Sequence, residues 1–239
     1  MVKEKKLSVF LLLVFSMANF FFWLQSHHVQ AKWANVPPVP TKGTAGFIAL
    51  GDDQLAYRYY ASMLQNLGNL SGQVISLKDY DYRKLKKWFF LEEALDPVSD
   101  VVPMLATYYY AAVKDKERQY LVLDYLAEIG KSPEGQKWRW LGHAVYIARH
   151  ELNDNDKALE LAYLLAANKS PHLADWAKQM PAFILQAKGQ TDLAYKIMLN
   201  LLISNVDTMH PNEIFFMKDY ICNTLLKENT DITPPDFCK

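Results

Sequence analysis

The residues that could do chemistry are few, and their spacing rules out most of it. His143 and His150 stand seven apart and share one helix face. Metal binding would need them four apart, or a further ligand. His150-Glu151 lacks the second histidine of a zinc-protease helix. Glu92 and Glu93 are sequence neighbours, about 100° apart around a helix, which is wrong for a general-acid and general-base pair. No glycine-rich phosphate loop and no nucleophile elbow occurs. The chain therefore reads as a non-enzyme, with no catalytic residue, no metal and no cofactor expected.

Cys222 and Cys238 are the only cysteines. No histidine or basic cluster lies near them in sequence to lower a thiol pKa, which disfavours a catalytic thiol. In an oxidising compartment such a pair is expected to join. Closing a loop of about 15 residues is worth roughly 3 kcal/mol in the chain-entropy model. The bridge would pin the tail that contains Pro234-Pro235 onto the last helix. The alternative is a buried Cys222 and a free thiol at Cys238.

Compartment is set by the first residues. Lys3, Lys5 and Lys6 precede an uncharged run from Leu7 to Leu24. About 18 residues at 1.5 Å each approach the roughly 30 Å hydrocarbon thickness. Residues 1–6 are then a cytoplasmic N-terminus and 7–26 a transmembrane signal anchor, flanked by Trp23, His27 and His28. The lysines favour a periplasmic or otherwise extracytoplasmic placement for everything that follows. A signal peptide cleaved after Val29-Gln30-Ala31 is the competing reading, and it puts the domain in the same compartment. No cysteine follows the segment to carry a lipoprotein anchor.

Residues 32–50 form a Pro-rich linker, in which Val36-Pro37-Pro38-Val39-Pro40 predicts a stiff extended spacer. From 51 onward the pattern is helix after helix. A first pair occupies 51–96: Asp52–Leu67, with Leu55, Tyr59, Met63 and Leu67 at four-residue steps, then Asp81–Leu95. Over 97–228, Pro97, Pro133, Pro171 and Pro211 follow one another at 36, 38 and 40 residues. Lys-Ser-Pro occurs twice, so Ser132 and Ser170 are expected helix N-caps with proline at the first helical position. The predicted helices are 99–114 with 116–130, 134–152 with 156–168, 172–188 with 191–205, and an unpaired 212–227. Pro181 should kink or break its helix. Residues 229–239 are a tail. A period of 35 to 40 residues containing two helices is the mark of a helical repeat array.

These residues resemble tetratricopeptide repeats. Gly189 resembles the turn glycine between paired helices and Ala194 the small contact that follows. Trp176 resembles the first-helix aromatic, and Trp138-Arg139-Trp140-Leu141-Gly142 the aromatic and Leu-Gly pattern; Ala158 and Ala166 match the second helix. Asn153-Asp154-Asn155 replaces the turn glycine of one unit, and Tyr108-Tyr109 stands where another should carry Leu-Gly. The resemblance implies an all-α fold: a right-handed stack of antiparallel helix pairs, a TPR-like α-solenoid, here preceded by one transmembrane helix. It implies a concave face built from first helices, with Arg139, Trp140, His143 and Tyr146 as partner-binding residues. Covering of Trp140 and Tyr146 by the adjacent repeat is the alternative.

Balanced charge, 26 basic against 26 acidic side chains, argues against a nucleic-acid partner. The basic stretch Arg83-Lys84-Lys86-Lys87 is either a solvated helix face or a docking surface for an anionic partner. Asn69-Leu70-Ser71 and Asn168-Lys169-Ser170 match the glycosylation sequon. The expected function is that of a membrane-tethered scaffold that recruits a protein or peptide. The alternatives are an accessory subunit of a larger membrane complex and, further off, an enzyme of the cell envelope.

Overall fold

The structure is a computed structural model; it describes residues 2–27, 36–68, 75–229 and 231–238, with side chains from residue 7 onward. All regular structure among them is helical. The chain divides into two units, Met1–Ala34 and Asn35–Lys239.

The first unit is helix α1, Val2–Ser26. Its stretch Leu7–Ser26 has a mean hydropathy of 2.2 and its side chains are exposed on every face. By length and composition it suits a membrane anchor or a signal sequence. The proposed cleavage site Val29-Gln30-Ala31, His28 and the sequon at Asn69 lie outside the described residues.

In the second unit the helices are α2 (Lys42–Ile48), α3 (Asp53–Gln65), α4 (Tyr82–Leu95), α5 (Val101–Tyr108), α6 (Lys116–Ile129), α7 (Trp138–Tyr146), α8 (Asn155–Ala166), α9 (Asp175–Ala187), α10 (Thr191–Asn205) and α11 (Pro211–Tyr220). Each helix from α6 to α11 packs on the next, and α5 also reaches across to α7. One apolar core runs from Val36 to Ile184; a smaller one, from Ala182 to Leu225, joins the end of α9 to α10 and α11.

Aspartates start the helices. Asp52, Asp81, Asp115 and Asp154 each accept a backbone N–H from the first turn of α3, α4, α6 and α8, filling donors that the helix itself leaves open. The Ser-Pro caps are a correction. Ser132 and Ser170 accept from the N–H two residues on, at 3.2 and 3.3 Å, and so make local turns. Helix α7 starts only at Trp138, after Gly135 in the left-handed region at φ +56°, and α9 only at Asp175. α9 carries Pro181 in its interior without ending there.

Two further expectations are corrected. The segment read as a stiff spacer docks on the domain: Val36 is buried and the Pro37 carbonyl accepts the Trp88 indole N–H at 3.0 Å. A buried indole needs an acceptor, and a carbonyl in a Pro-Pro stretch has no helical partner to compete for it. The linker also contains α2, capped by Thr41. On α3 the core face is Ala56, Tyr57, Tyr60, Ala61 and Leu64, while Leu55 and Tyr59 point outward. Tyr57 donates to Ser99 Oγ at 2.7 Å.

Gly189, between α9 and α10, has φ +73°, and Asn153, before α8, has φ +54°. Asparagine is a residue able to replace glycine in the left-handed region at modest cost. Beyond α7 the chain continues as a wide π turn, Ile147–Glu151, and beyond α11 as another, Ile221–Leu225. Cys222 and Cys238 lie at disulfide distance, with Cα atoms 5.5 Å apart, and the tail's Phe237 sits under the Lys218 ammonium at 5.6 Å.

Gly130, at the end of α6, fixes how closely α7 approaches. A Cβ there would meet Leu141 Cβ at 2.5 Å and backbone atoms of Leu141 and Leu126 at 2.9 Å. Backbone cannot retreat as a flexible side chain can. Gly130→Ala is expected to destabilise the unit by about 2 kcal/mol and lower its Tm by several degrees. An unchanged melting curve would show that α6 and α7 tolerate separation.

Candidate functional site

The outer surface of α5 carries Val101, Met104 and Tyr108, three and four residues apart and all exposed. Next to it α7 presents His143 and Tyr146, and beyond that α9 presents Trp176 from its first turn. Gly142 lets these last two helices come together: a Cβ there would stand 3.3 Å from Cη2 of the Trp176 ring. Trp176 in turn packs on Trp138, ring centroids 5.5 Å apart.

Two clefts result, and His143 and Tyr146 border both. The first, about 460 Å³, lies between α5 and α7 and includes Thr107, Tyr108, Lys114 and Glu151 in its walls. The second, about 520 Å³, lies between α7 and α9 and includes Trp138, Arg139, His172 and Trp176. Together they make a groove across α5, α7 and α9.

Its polar groups are placed unevenly. His143 Nε2 and the Tyr108 hydroxyl share a hydrogen bond at 3.0 Å, and burial holds the imidazole pKa below its ordinary value. Lys114 and Glu151 pair at 3.2 Å in the first cleft. The second cleft has no carboxylate among its lining residues, and the Arg139 guanidinium lies 5.7 Å from the Trp138 ring centroid. Each cleft also has one buried polar atom without a hydrogen-bond partner in its wall residues: Thr107 Oγ1 in the first and Trp138 Nε1 in the second. Such an atom costs about 1–3 kcal/mol when left unpaired.

Of the four residues proposed from sequence, Arg139, His143 and Tyr146 line the groove. Trp140 does not. It is turned inward, donates its indole N–H to Asp100 Oδ1 at 2.6 Å, and stacks behind His143 at 5.5 Å. Tyr108, Lys114, Glu151 and Trp176 were missed as wall residues. The exposed stripe Val101, Met104 and Tyr108 was the available signal for the first of these. The basic stretch of α4 is largely neutralised: Arg83 pairs with Glu117, Lys84 with Asp81 and Lys86 with Asp124. The Asn168 amide is engaged on both sides, donating to the Gly130 carbonyl and accepting from Ser170 N–H.

A buried polar cluster precedes α7. Lys137 is 1% exposed; its ammonium contacts Glu93 Oε2 at 2.9 Å and donates to the Ser99 carbonyl at 2.7 Å. This ties α4 to the approach to α7. No family model, curated protein or solved structure matches the chain.

Proposed function

We propose that the chain is a membrane-tethered, extracytoplasmic scaffold whose helix pairs stack as a right-handed, TPR-like solenoid. Its groove over α5, α7 and α9 receives an extended peptide segment of a protein partner. The observation that carries this reading is the pair of clefts sharing His143 and Tyr146, each with an unsatisfied buried polar atom in its wall residues. Two clefts in series suit successive side chains of one extended chain, with ring faces for packing and Arg139 for a carbonyl or carboxylate. Helix-to-next-helix packing from α6 to α11 supports the stack. The anchor rests on Leu7–Ser26, and the orientation on the lysines before it.

Peptide-display selection against the purified chain, followed by fluorescence anisotropy, tests the groove. Tyr146→Ala removes the ring that both clefts share and is expected to weaken selected peptides at least about tenfold. Tyr163→Ala, on exposed α8 surface, should leave binding unchanged. Equal effects from the two variants would remove the groove from consideration. A permanent subunit role draws instead on Ile203 and Phe215, large apolar groups that α10 and α11 leave exposed. A companion at fixed stoichiometry in mild detergent would favour that second reading.

A further inference from the structure

The turn that ends α2 makes an apolar display that the helical unit does not use. Its backbone closes in a pattern common at helix C-termini: Gly51 N–H donates to the Gly46 carbonyl at 2.8 Å, and Leu50 N–H to the Phe47 carbonyl at 3.1 Å. That pattern requires a left-handed residue where Leu50 stands, and Leu50 has φ +57°. Glycine fills this position at little cost and leucine does not. Packing gives nothing in return, since Leu50 is 93% exposed, with Phe47 at 83% and Ile48 at 59%. Three large apolar groups within four residues, one of them in an unfavourable backbone state, are disfavoured in water on both counts.

Helix α3 begins two residues after this turn and continues the theme. Its outward positions include Leu55, Arg58 and Tyr59. Aliphatic groups beside a tyrosine and an arginine have the composition of a bilayer boundary, where the phenol sits at headgroup level and the guanidinium reaches toward phosphate.

We propose that Phe47, Ile48 and Leu50 dip into the bilayer that the Leu7–Ser26 segment occupies and hold this turn at the membrane surface. The proposal rests on the anchor reading above. Lipid is favoured over a protein cover because the chain is tethered to it. Nine residue steps lead from His27 to Val36, where the folded unit begins, at most about 30 Å of extended backbone. Lipid therefore meets the patch as an intramolecular partner.

The test uses the full chain with p-benzoylphenylalanine in place of Phe47, reconstituted in phosphatidylcholine–phosphatidylglycerol vesicles, irradiated, and analysed by mass spectrometry. Phe215 on α11, 74% exposed, is the matched control position. Lipid adduct at 47 is expected to exceed that at 215 at least about tenfold, and to fall at least about fivefold on Leu50→Gly. Leu50→Gly also relieves the left-handed leucine, so its Tm should be equal or higher, which separates lost docking from lost folding. Equal lipid yields at the two positions, or adducts at 47 made with protein, overturn the docking. Intact mass before reconstitution distinguishes the two failures: a chain lacking residues 1–31 sinks the anchor and the docking together, whereas a full-length chain with equal yields sinks the docking alone.

Discussion

Glu92→Gln is expected to abolish a loss of stability that the unaltered protein suffers as pH rises from about 5 to 8. Glu92 is fully buried on α4, neither carboxyl oxygen has a hydrogen-bond partner, and burial pushes its pKa up from 4.5 to about 8. Tyr57, Tyr60 and Tyr125 lie close enough for its charge to oppose their ionisation, so phenols surround it and no cation compensates. Between the two pKa values the native state holds a proton that the unfolded chain releases, so the free energy of unfolding falls as pH rises. The contribution is fully present below about pH 4.5, is lost as pH climbs toward 8, and is level beyond. Across the window it amounts to roughly 5 kcal/mol. Glutamine has nearly the same shape and does not ionise. The variant should therefore track the parent near pH 4.5 and exceed it by several kcal/mol at pH 9. Urea unfolding of both proteins at four or five pH values checks this, because carboxylates common to the two cancel in the difference. Parallel curves would mean that water or a cation reaches Glu92.

Much of the helix order was legible in the sequence because it depends on local signals that nothing distant overrides. Thr191–Asn205 was read with the bounds the structure gives, since Gly189 before it can stop one helix and Thr191 can start the next. Lys116–Ile129 and Tyr82–Leu95 follow aspartates that cap them, and both came out within a residue. The Ser-Pro starts failed for a related reason. A serine before proline fits a helix cap and a local turn equally well, and Gly135 decides for the turn in the first instance. The outward placement of Leu55 and Tyr59 could not be read from a four-residue stripe, because Ala56, Tyr60 and Leu64 form an equally regular stripe one position on. Which stripe is buried depends on Trp88 of α4, which meets Tyr60 at 5.1 Å, and that is a contact between distant segments. The groove shows the same division. His143 and Tyr146 came from the likeness to the first helix of a repeat, whereas Trp140 turns inward for an acceptor, Asp100, forty residues earlier.

Ala162→Asp is expected to remove much of the stability of the helical unit and to lower its melting temperature steeply. Ala162 is fully buried on α8, on the same face as Ala158, Leu161 and Leu165, and α8 packs against both α7 and α9. A carboxylate placed there has no cation among the buried residues of that face and must either stay charged in an apolar setting or take up a proton. Either course costs several kcal/mol, and the extra atoms add overpacking. Domains of this size are stable by only about 5–15 kcal/mol, so one such substitution removes a large part of the margin. Tyr163→Asp, one position further along, is the informative control. Tyr163 is 49% exposed, so an aspartate there stays in water and should cost no more than about 1 kcal/mol, through helix propensity and lost ring contacts. Helical circular dichroism against temperature distinguishes the pair: an early or absent transition for the first variant and a near-normal one for the second. Similar melting for both would mean that α8 is not held between its neighbours, and the stacking on which the peptide groove depends would fall with it.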